Sequence, residues 1–220
     1  MAEFKVVEKF VSINGEGRNA GKPAVFIRFK GCNLRCSYCD TMWANEEGCE
    51  YELMTEDEIY AYIKETGIRC VTLTGGEPLI QKDLGVLLNK LCSDDFLRVE
   101  IETNGSVLIE PFMHFKNRPS FTLDYKCPSS LSENSMNMEN YKYISTEDTL
   151  KFVCGSSADL EKAKEVIEKE NPKCPIYLSP VFGKIEPAEI VDFIIKNKLN
   201  NVNLQLQLHK FIWSADKRGV

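Results

Sequence analysis

Three cysteines with a regular spacing lie in the stretch GCNLRCSYCD. Cys32, Cys36 and Cys39 follow the pattern C-x3-C-x2-C. Thiolates bind zinc or the irons of an iron–sulfur cluster, and both kinds of site normally have four ligands. The next thiol is Cys49 and the first histidine is His114, so a zinc ion would need a distant fourth ligand or an open position. In a cluster held by three thiolates, one iron keeps an open coordination site where a substrate or cofactor can bind.

Composition and charge limit the other functions that the chain can have. The 220 residues are 43% hydrophobic and 27% charged, as in an ordinary globular protein with a substantial core. A net charge of −6 disfavours a broad electrostatic surface for nucleic acid. No apolar run approaches the roughly 20 residues that span a bilayer, and the start MAEFKVVEKF has no signal-peptide pattern. These features predict a cytoplasmic protein with no nucleic-acid or membrane partner.

Nine cysteines are many for a cytoplasmic chain, and an odd number cannot all pair. In a reducing compartment they favour metal binding or catalysis over a disulfide framework. The six cysteines outside the motif are scattered singly, and we expect them to be small buried side chains.

Strands and helices alternate along the predicted secondary structure. A capping box of Thr55 and Glu58 begins one helix, and Ser157 is the predicted cap of another. The alternation predicts βαβ units and a parallel sheet with right-handed crossovers, of about six or seven strands. That number is smaller than a closed eight-stranded barrel requires. The predicted strands are 24–29, 70–74, 97–103, 121–126, 149–153, 174–180 and 202–208, and the predicted helices are 55–66, 82–92, 157–170 and 187–198.

The unusual polar and glycine-rich stretches come directly after predicted strands. The cysteine motif, GGEP, TNG and SP each follow one. Ligands of parallel α/β folds bind at the carboxyl ends of the strands. These stretches are therefore expected to meet at one rim of the sheet.

The cysteine spacing, with an aromatic residue inside CSYC, resembles the signature of the radical S-adenosylmethionine (SAM) superfamily. TGGEP, residues 74–78, resembles that superfamily's second motif, in which glycine-rich backbone approaches the SAM amino group. The resemblance implies a [4Fe-4S] cluster on Cys32, Cys36 and Cys39, with SAM on the open iron. The two motifs in this order are a much stronger signal than the cysteines alone.

Further stretches narrow the resemblance and run almost from end to end: SINGEG, CDT, ETNG, DYKCPS, KFV, SPVFG and LQLQLHKFIW. In that combination the chain is similar to the 7-carboxy-7-deazaguanine synthase family of queuosine (7-deazapurine) biosynthesis, a tRNA modification pathway. The resemblance implies a single domain, 1–220, folded as a partial TIM-like barrel of the radical SAM type. It also implies a lyase that converts 6-carboxy-5,6,7,8-tetrahydropterin to 7-carboxy-7-deazaguanine with release of ammonia.

The family's chemistry implies further partners. Reduction of the cluster cleaves SAM, the adenosyl radical removes the C6 hydrogen of the pterin, and the hydrogen returns after ring contraction. Mg²⁺ is required, and a low-potential flavodoxin or ferredoxin is the implied electron donor. A homodimer would cover the sheet edges of a trimmed barrel. No residue is assigned to an acid–base step.

The metal and substrate assignments follow from the resemblance, with simpler alternatives beside them. Thr41 matches the magnesium ligand, which needs a substrate carboxylate for charge; alternatively it closes a turn. Arg28 interrupts a buried strand and requires a carboxylate partner, either the substrate or an internal acid. Thr74 contacts substrate or caps the glycine turn. The loop expected to contact the pterin contains Ile13, Asn14, Gly15 and Glu16, and at Asn14 the family typically has glutamine.

The resemblance also supplies the SAM-binding residues. The alternative for Lys126 is a position on the surface, because only its place after a strand favours the SAM site. The implied cofactor contacts are Gly76, Glu102, Asp124, Tyr125, Lys126, Ser179, Pro180, Val181 and Phe182.

The alternation in LQLQLHK predicts a strand with Gln205, Gln207 and His209 on one face. Such a face is usually solvated, but in a curled sheet it lies towards the cavity, where amides and an imidazole suit a pterin. Gln207 and His209 are thus predicted substrate contacts, whereas His114 is expected in packing or at the surface.

Two other functions remain open. Another radical SAM enzyme, such as a glycyl-radical activase, would act on a partner protein. A non-enzymatic iron–sulfur or zinc protein would have four protein ligands and no response to SAM. The polar segment 129–148 has no predicted role.

Overall fold

The computed structural model describes residues 1–215 and 217–220. Nine strands form one sheet in the order β3-β1-β2-β4-β5-β6-β7-β8-β9. Within the described residues β3 and β9 each have one neighbour, so the sheet is an open, partial barrel. The strands are β1 (Glu3–Ile13), β2 (Pro23–Phe29), β3 (Glu52–Thr55), β4 (Cys70–Gly75), β5 (Arg98–Thr103), β6 (Ser120–Tyr125), β7 (Thr149–Cys154), β8 (Ile176–Pro180) and β9 (Val202–Leu204).

Seven strands, β2 and β4 to β9, pair in parallel, which confirms the predicted parallel sheet. β1 and β3 extend it in antiparallel pairing at one edge, and neither was among the predicted strands. β1 ends at Ile13, which pairs with Pro23 at the start of β2. The loop between them therefore lies at the amino-terminal end of the parallel strands, opposite the cysteine loop.

Among the described residues there are five α-helices, of which four connect strands and the last follows β9. The predicted capping box begins the first of them: the Glu58 N–H donates to Thr55 Oγ1 (3.2 Å), and the Thr55 N–H donates to Glu58 Oε2 (2.8 Å). Ser156, rather than the predicted Ser157, caps the third helix by accepting from the Asp159 N–H (3.3 Å). None of the described helices is long and apolar enough to cross a membrane. The helices are α1 (Glu56–Thr66), α2 (Leu84–Ser93), α3 (Ser157–Glu170), α4 (Pro187–Lys196) and α5 (His209–Ile212).

The two faces of the parallel strands differ in chemistry. Side chains alternate between the faces of a strand, so each strand contributes to both. The inward side chains are mainly polar: Thr72, Thr74, Glu100, Glu102, Thr122, Asp124, Thr149 and Lys151. The outward side chains are apolar and fully or almost fully buried with the helices in the core: Val71, Leu73, Val99, Ile101, Phe121, Leu123, Leu150, Phe152, Ile176 and Leu178.

The predicted strand 202–208 is wrong beyond Leu204. After that residue the Gln205 side chain turns to the loop after β1: the Gly17 N–H donates to Gln205 Oε1 (2.6 Å), and Gln205 Nε2 donates to the Gly17 carbonyl (3.1 Å). The chain then turns, with the Leu208 N–H bonded to the Gly15 carbonyl (3.1 Å), and α5 begins at His209. The two hydrogen bonds of Gln205 hold the loop after β1 in place at the amino-terminal end of the parallel strands.

Candidate active site

A cavity of about 600 Å³ lies inside the sheet and opens at the carboxyl ends of the parallel strands. Its wall includes inward side chains of β4 to β7, the two glycines after Thr74, and residues after β8. The loop after β1 contributes Gly15 and Glu16, and the carboxyl-terminal segment contributes Gln207 and His209. The structure thus brings residues from both ends of the chain into one cavity.

The three cysteines of the first motif lie half-buried at this cavity as free thiols. Cys32 Sγ accepts from Asn104 Nδ2 (3.5 Å), and Cys36 Sγ lies 3.5 Å from Ser132 Oγ. Hydrogen bonds to sulfur are among the factors that set the potential of an iron–sulfur cluster. Burial raises the pKa of the Cys32 thiol, an effect that bound iron would reverse.

The cysteine loop packs against the polar segment 129–148, for which no role was predicted. The Ser37 N–H donates to the Ser130 carbonyl (3.0 Å), and its hydroxyl donates to the Ser129 carbonyl. A 3-10 turn at Pro128–Ser130 precedes this contact. The beginning of the segment therefore supports the loop that presents the thiols.

The donor set fits a multi-iron cluster better than a single zinc ion. Zinc holds its ligands 2.0–2.3 Å from one centre. Among residues 1–215 and 217–220, no three His, Cys, Asp or Glu side chains converge on a single ion. Three thiols on one loop beside a cavity fit a [4Fe-4S] cluster whose fourth iron is open to a ligand.

The glycines of TGGEP pack directly on backbone that leads into the cysteine loop. Gly75 has φ +134°, and a Cβ there would lie 2.3 Å from the Phe29 carbonyl oxygen. A Cβ on Gly76 would lie 1.8 Å from the Gly31 carbonyl oxygen. The Glu77 N–H also donates to the Gly31 carbonyl (2.9 Å). Only glycine permits this approach, which holds the two motifs together.

Glu77, the acidic residue of TGGEP, has a structural position. It is fully buried and absent from the cavity wall. Its carboxylate accepts from the Leu79 N–H (3.0 Å), Thr103 Oγ1 (2.8 Å) and the Asn104 N–H (2.7 Å). Burial raises its pKa against the effect of these donors. Glu77 thus joins the loops that follow β4 and β5.

On the implied cofactor side, Lys126 and Asp124 form a close ion pair. Lys126 Nζ lies 2.7 Å from Asp124 Oδ2, and both side chains are largely buried, so Lys126 is not a surface lysine. Burial alone would lower the pKa of Lys126, but the Asp124 carboxylate outweighs it and raises that pKa. In the part of the chain that the structure describes, Asp124 Oδ1 is buried without a hydrogen-bond partner. The predicted cofactor residues on the cavity wall are Gly76, Glu102, Asp124, Lys126, Val181 and Phe182.

Three predicted cofactor residues do not line the cavity. Tyr125 points outward into the core, where its ring lies 5.4 Å from that of Phe152 and its hydroxyl donates to Glu133 (3.1 Å). Neighbours in a strand face opposite ways, so Asp124 in the cavity requires Tyr125 outside it. Ser179 and Pro180 are buried outside the cavity wall. No cofactor contact is assigned to Tyr125.

All but one of the predicted substrate residues line the cavity. Gly15 lies directly under His209, because a Cβ there would come within 2.5 Å of Nδ1 of the imidazole. Asn14 does not line the cavity. It is buried, and its side-chain oxygen accepts from Thr72 Oγ1 (2.9 Å). The predicted substrate residues on the cavity wall are Ile13, Gly15, Glu16, Arg28, Thr74, Gln207 and His209.

Arg28 and Thr74 each have an internal partner. Arg28 Nε donates to Glu8 Oε2 at 2.9 Å, so the internal salt bridge foreseen as an alternative is present. Thr74 Oγ1 donates to Glu102 Oε2 at 2.8 Å. Both residues still line the cavity, with these contacts holding them in place.

Thr41 lies half-buried on the cavity wall, with its hydroxyl 3.5 Å from Cys39 Sγ. Its neighbour Asp40 also lines the cavity and lies 3.7 Å from Lys210 Nζ. Magnesium keeps several waters and commonly uses one or two protein oxygens together with a substrate. The Thr41 hydroxyl fits magnesium in that shared arrangement.

Sequence reasoning missed Lys151, whose side chain is 11% exposed inside the cavity. Glu16 Oε2 accepts from Lys151 Nζ (3.2 Å) and from Gln207 Nε2 (3.2 Å). Lys151 also pairs in register with Asp124 on the neighbouring strand. The available signal was a lysine inside the apolar run TLKFV, an unusual position that requires a buried acid.

Fold and cavity together define a radical SAM protein, with a cluster loop and a glycine motif at the carboxyl ends of a partial barrel. The model of the radical SAM superfamily matches residues 26–194. The crystal structure of QueE from Escherichia coli has the same fold: TM-score 0.73, 23% identity, 93% of this chain and 94% of that chain covered.

Curated relatives narrow the family. The 7-carboxy-7-deazaguanine synthase of Clostridium acetobutylicum is 60% identical over 99% of both chains. The enzyme of that name from Methanospirillum hungatei is 38% identical over 95% of this chain and 85% of its own length. The chain belongs to the 7-carboxy-7-deazaguanine synthase family.

Proposed function

We propose that the chain converts 6-carboxy-5,6,7,8-tetrahydropterin to 7-carboxy-7-deazaguanine by ring contraction, with release of ammonia. The observation that carries this proposal is the 60% identity, over 99% of both chains, to an enzyme of that name. The cavity supports it, because both radical SAM motifs and the predicted pterin contacts border the same space.

The cofactors of the family are a [4Fe-4S] cluster, SAM and Mg²⁺. Cys32, Cys36 and Cys39 would hold the cluster, and Thr41 would contribute to magnesium binding. When bound, cluster and SAM supply the organic radical that removes a hydrogen atom from the substrate.

The protein's own contribution is to bind, orient and shield. On the cofactor side, Asp124 offers one free carboxylate oxygen beside Lys126. Glu16, in the loop after β1 that forms the floor of the cavity, offers a second free carboxylate oxygen. This buried oxygen, Oε1, has no hydrogen-bond partner among the described residues. A ligand with N–H groups satisfies such acceptors, and a fixed orientation lowers the barrier for the reacting atoms.

A flavodoxin or ferredoxin is proposed as the electron donor, because the cysteine loop carries the exposed residues Asn33, Arg35 and Ser37 beside the half-buried thiols. A homodimer is proposed because the sheet is open among the described residues, so that β3 and β9 each keep one edge that a second copy of the chain can cover. Light scattering on the purified protein tests the dimer. Replacing dithionite with reduced flavodoxin or ferredoxin in the assay tests the donor.

The activity itself is tested with anaerobically reconstituted protein, the carboxypterin, SAM, Mg²⁺ and dithionite. Mass analysis is expected to show the deazaguanine product and recovery of SAM. Reactions without SAM and with the Cys36→Ala variant serve as controls. Irreversible conversion of SAM to 5′-deoxyadenosine with the pterin unchanged would instead indicate another radical SAM enzyme.

A further inference from the structure

Lys151 occupies the centre of the charged groups in the cavity. Its ammonium lies 3.2 Å from Glu16 Oε2 and 3.9 Å from Asp124 Oδ2, and Glu102 also faces it. Glu16 comes from the loop at the floor of the barrel, whereas Asp124 belongs to the wall beside Lys126. A single side chain therefore contacts both the proposed substrate side and the proposed cofactor side.

Each of the two carboxylates uses one oxygen and leaves the other free. Glu16 Oε2 accepts from Lys151, and Asp124 Oδ2 accepts from Lys126 and lies near Lys151. Among the described residues, Glu16 Oε1 and Asp124 Oδ1 are buried without any partner. Buried acceptors are normally satisfied, so these two oxygens are placed to accept from a bound molecule.

We propose that Lys151 is a positioning residue, which keeps Glu16 as an oriented carboxylate whose free oxygen accepts the N–H groups of the pterin's aminopyrimidinone edge. The inference rests on the proposed function for the identity of this ligand. A carboxylate accepts hydrogen bonds at both oxygens, whereas a protonated acid presents a donor to the same N–H groups. The charge of Lys151 therefore decides whether the floor of the cavity recognises the ligand.

The other groups around Glu16 do not replace this charge. Burial lowers the pKa of His209, which disfavours a positive charge on its imidazole. Asp124 and Glu102 face the same space and are themselves acids, Lys210 acts on His209, and Gln207 is uncharged. Burial alone would raise the pKa of Glu16, but Lys151 and the Gln207 amide hold it below its usual range.

The test compares Lys151→Met, which removes the charge and retains most of the length, with Lys151→Arg, which retains the charge. Lys169→Met, on the exposed side of α3, is the matched control. Binding of 7-carboxy-7-deazaguanine to the anaerobic holoenzyme is measured by calorimetry from pH 6 to pH 9, because this product carries an aminopyrimidinone edge and does not require turnover.

Lys151→Met is expected to bind the product at least ~10-fold more weakly at pH 7, the scale of a hydrogen bond to a charged group. Without the lysine, burial raises the pKa of Glu16, so affinity should recover as pH rises and Glu16 ionises. Wild type and Lys169→Met should show no such slope, and Lys151→Arg should restore most of the affinity.

A melting temperature lowered by Lys151→Met, with product affinity within about 2-fold of wild type at every pH, would overturn the inference. Should that variant not fold, Lys151→Gln removes the same charge with a polar side chain. Glu16→Gln tests the carboxylate on which the inference depends, since its loss should weaken binding at all pH values without a slope; unchanged affinity in either variant would also overturn the inference. Wild-type protein that neither binds the product nor converts the pterin contradicts the proposed function instead.

Discussion

The inner and outer faces of the same strands perform different tasks. In β6, Phe121 and Leu123 point outward into a fully buried apolar layer, while Thr122 and Asp124 point inward. Apolar burial scales with area and stabilises the fold without reference to any ligand. The inner face contains buried polar groups that cost free energy unless they are paired. Stability and ligand recognition are thus separated residue by residue along one strand.

Each inner acid is paired within the protein through at least one carboxylate oxygen. Glu100 accepts from Thr122 Oγ1 (2.6 Å) and from Asn19 Nδ2 (3.0 Å). Glu16 and Asp124 each keep one oxygen free of partners among the described residues, and both residues line the cavity. The comparison predicts that inner and rim substitutions change activity, whereas outer substitutions change the free energy of unfolding.

The largest effect is expected at the rim, from Cys36→Ala. Loss of one of three thiolates should abolish the cluster, so that iron content, brown colour and activity all disappear. The fold should survive, because this cysteine lies outside the apolar core, and circular dichroism should show an unchanged melting temperature for the iron-free protein. Cys49→Ala, which lies outside the cavity wall, is the control. Iron retained at the wild-type level in Cys36→Ala would refute the assignment.

A smaller loss of activity is expected from Gly76→Ala. The new methyl group would lie 1.8 Å from the Gly31 carbonyl oxygen, so the glycine motif or the cysteine loop must move. A displacement of this order can reduce turnover about 100-fold. Gly85→Ala in α2 meets open space and should stabilise the protein by ~0.5–1 kcal/mol. Equal turnover for both variants would show that the close approach has no role.

Adjacent residues of β6 test the two faces directly through stability. Phe121→Ala removes a fully buried outer side chain and should lower the free energy of unfolding by about 3–5 kcal/mol in a urea titration. Thr122→Ala removes one inner hydrogen bond to Glu100 and should cost about 1–3 kcal/mol. Activity per folded molecule should be unchanged in Phe121→Ala. A larger loss from the inner residue would reverse the comparison.

The smallest effect concerns acid stability away from the cavity. Asp94 accepts from Lys64 Nζ (2.7 Å), the Phe96 N–H (2.9 Å) and Tyr60 (2.9 Å), which lower its pKa to about 2. A depressed pKa means that this stabilisation is complete above the ordinary value of 3.8 and is lost as pH falls towards 2. Asp94→Asn should melt slightly below wild type near pH 6 and together with it near pH 2. A difference that persists at pH 2 would contradict the prediction.

Periodicity and end signals predicted much of the parallel sheet. The run AVFIRF and the Thr55 capping box appear where expected, because both depend on local sequence. β1 was not predicted because only two of its side chains, Phe4 and Val6, are buried. The alternation of buried and exposed residues along this strand is therefore short. The end of β9 could not be predicted because Gln205 bonds to a distant loop.

The site residues that belong to sequence motifs were predictable, and the other site residues were less so. The cysteines and the glycine pair depend on spacing alone. Tyr125 was assigned with its neighbours, although strand alternation already places it opposite Asp124. The role of Lys151 depends on its contact with Glu16, which lies 135 positions earlier in the chain. That contact exists only in the folded barrel.

The clamp between Gly17 and Gln205 joins positions 188 residues apart. During synthesis the floor loop therefore lacks its fastening until Gln205 has left the ribosome, long after the cysteine loop has emerged. Contacts of such long sequence separation form late in folding, because closing the chain over that distance costs entropy. The cysteine loop is thus synthesised long before the contact that holds the loop after β1 in place can form.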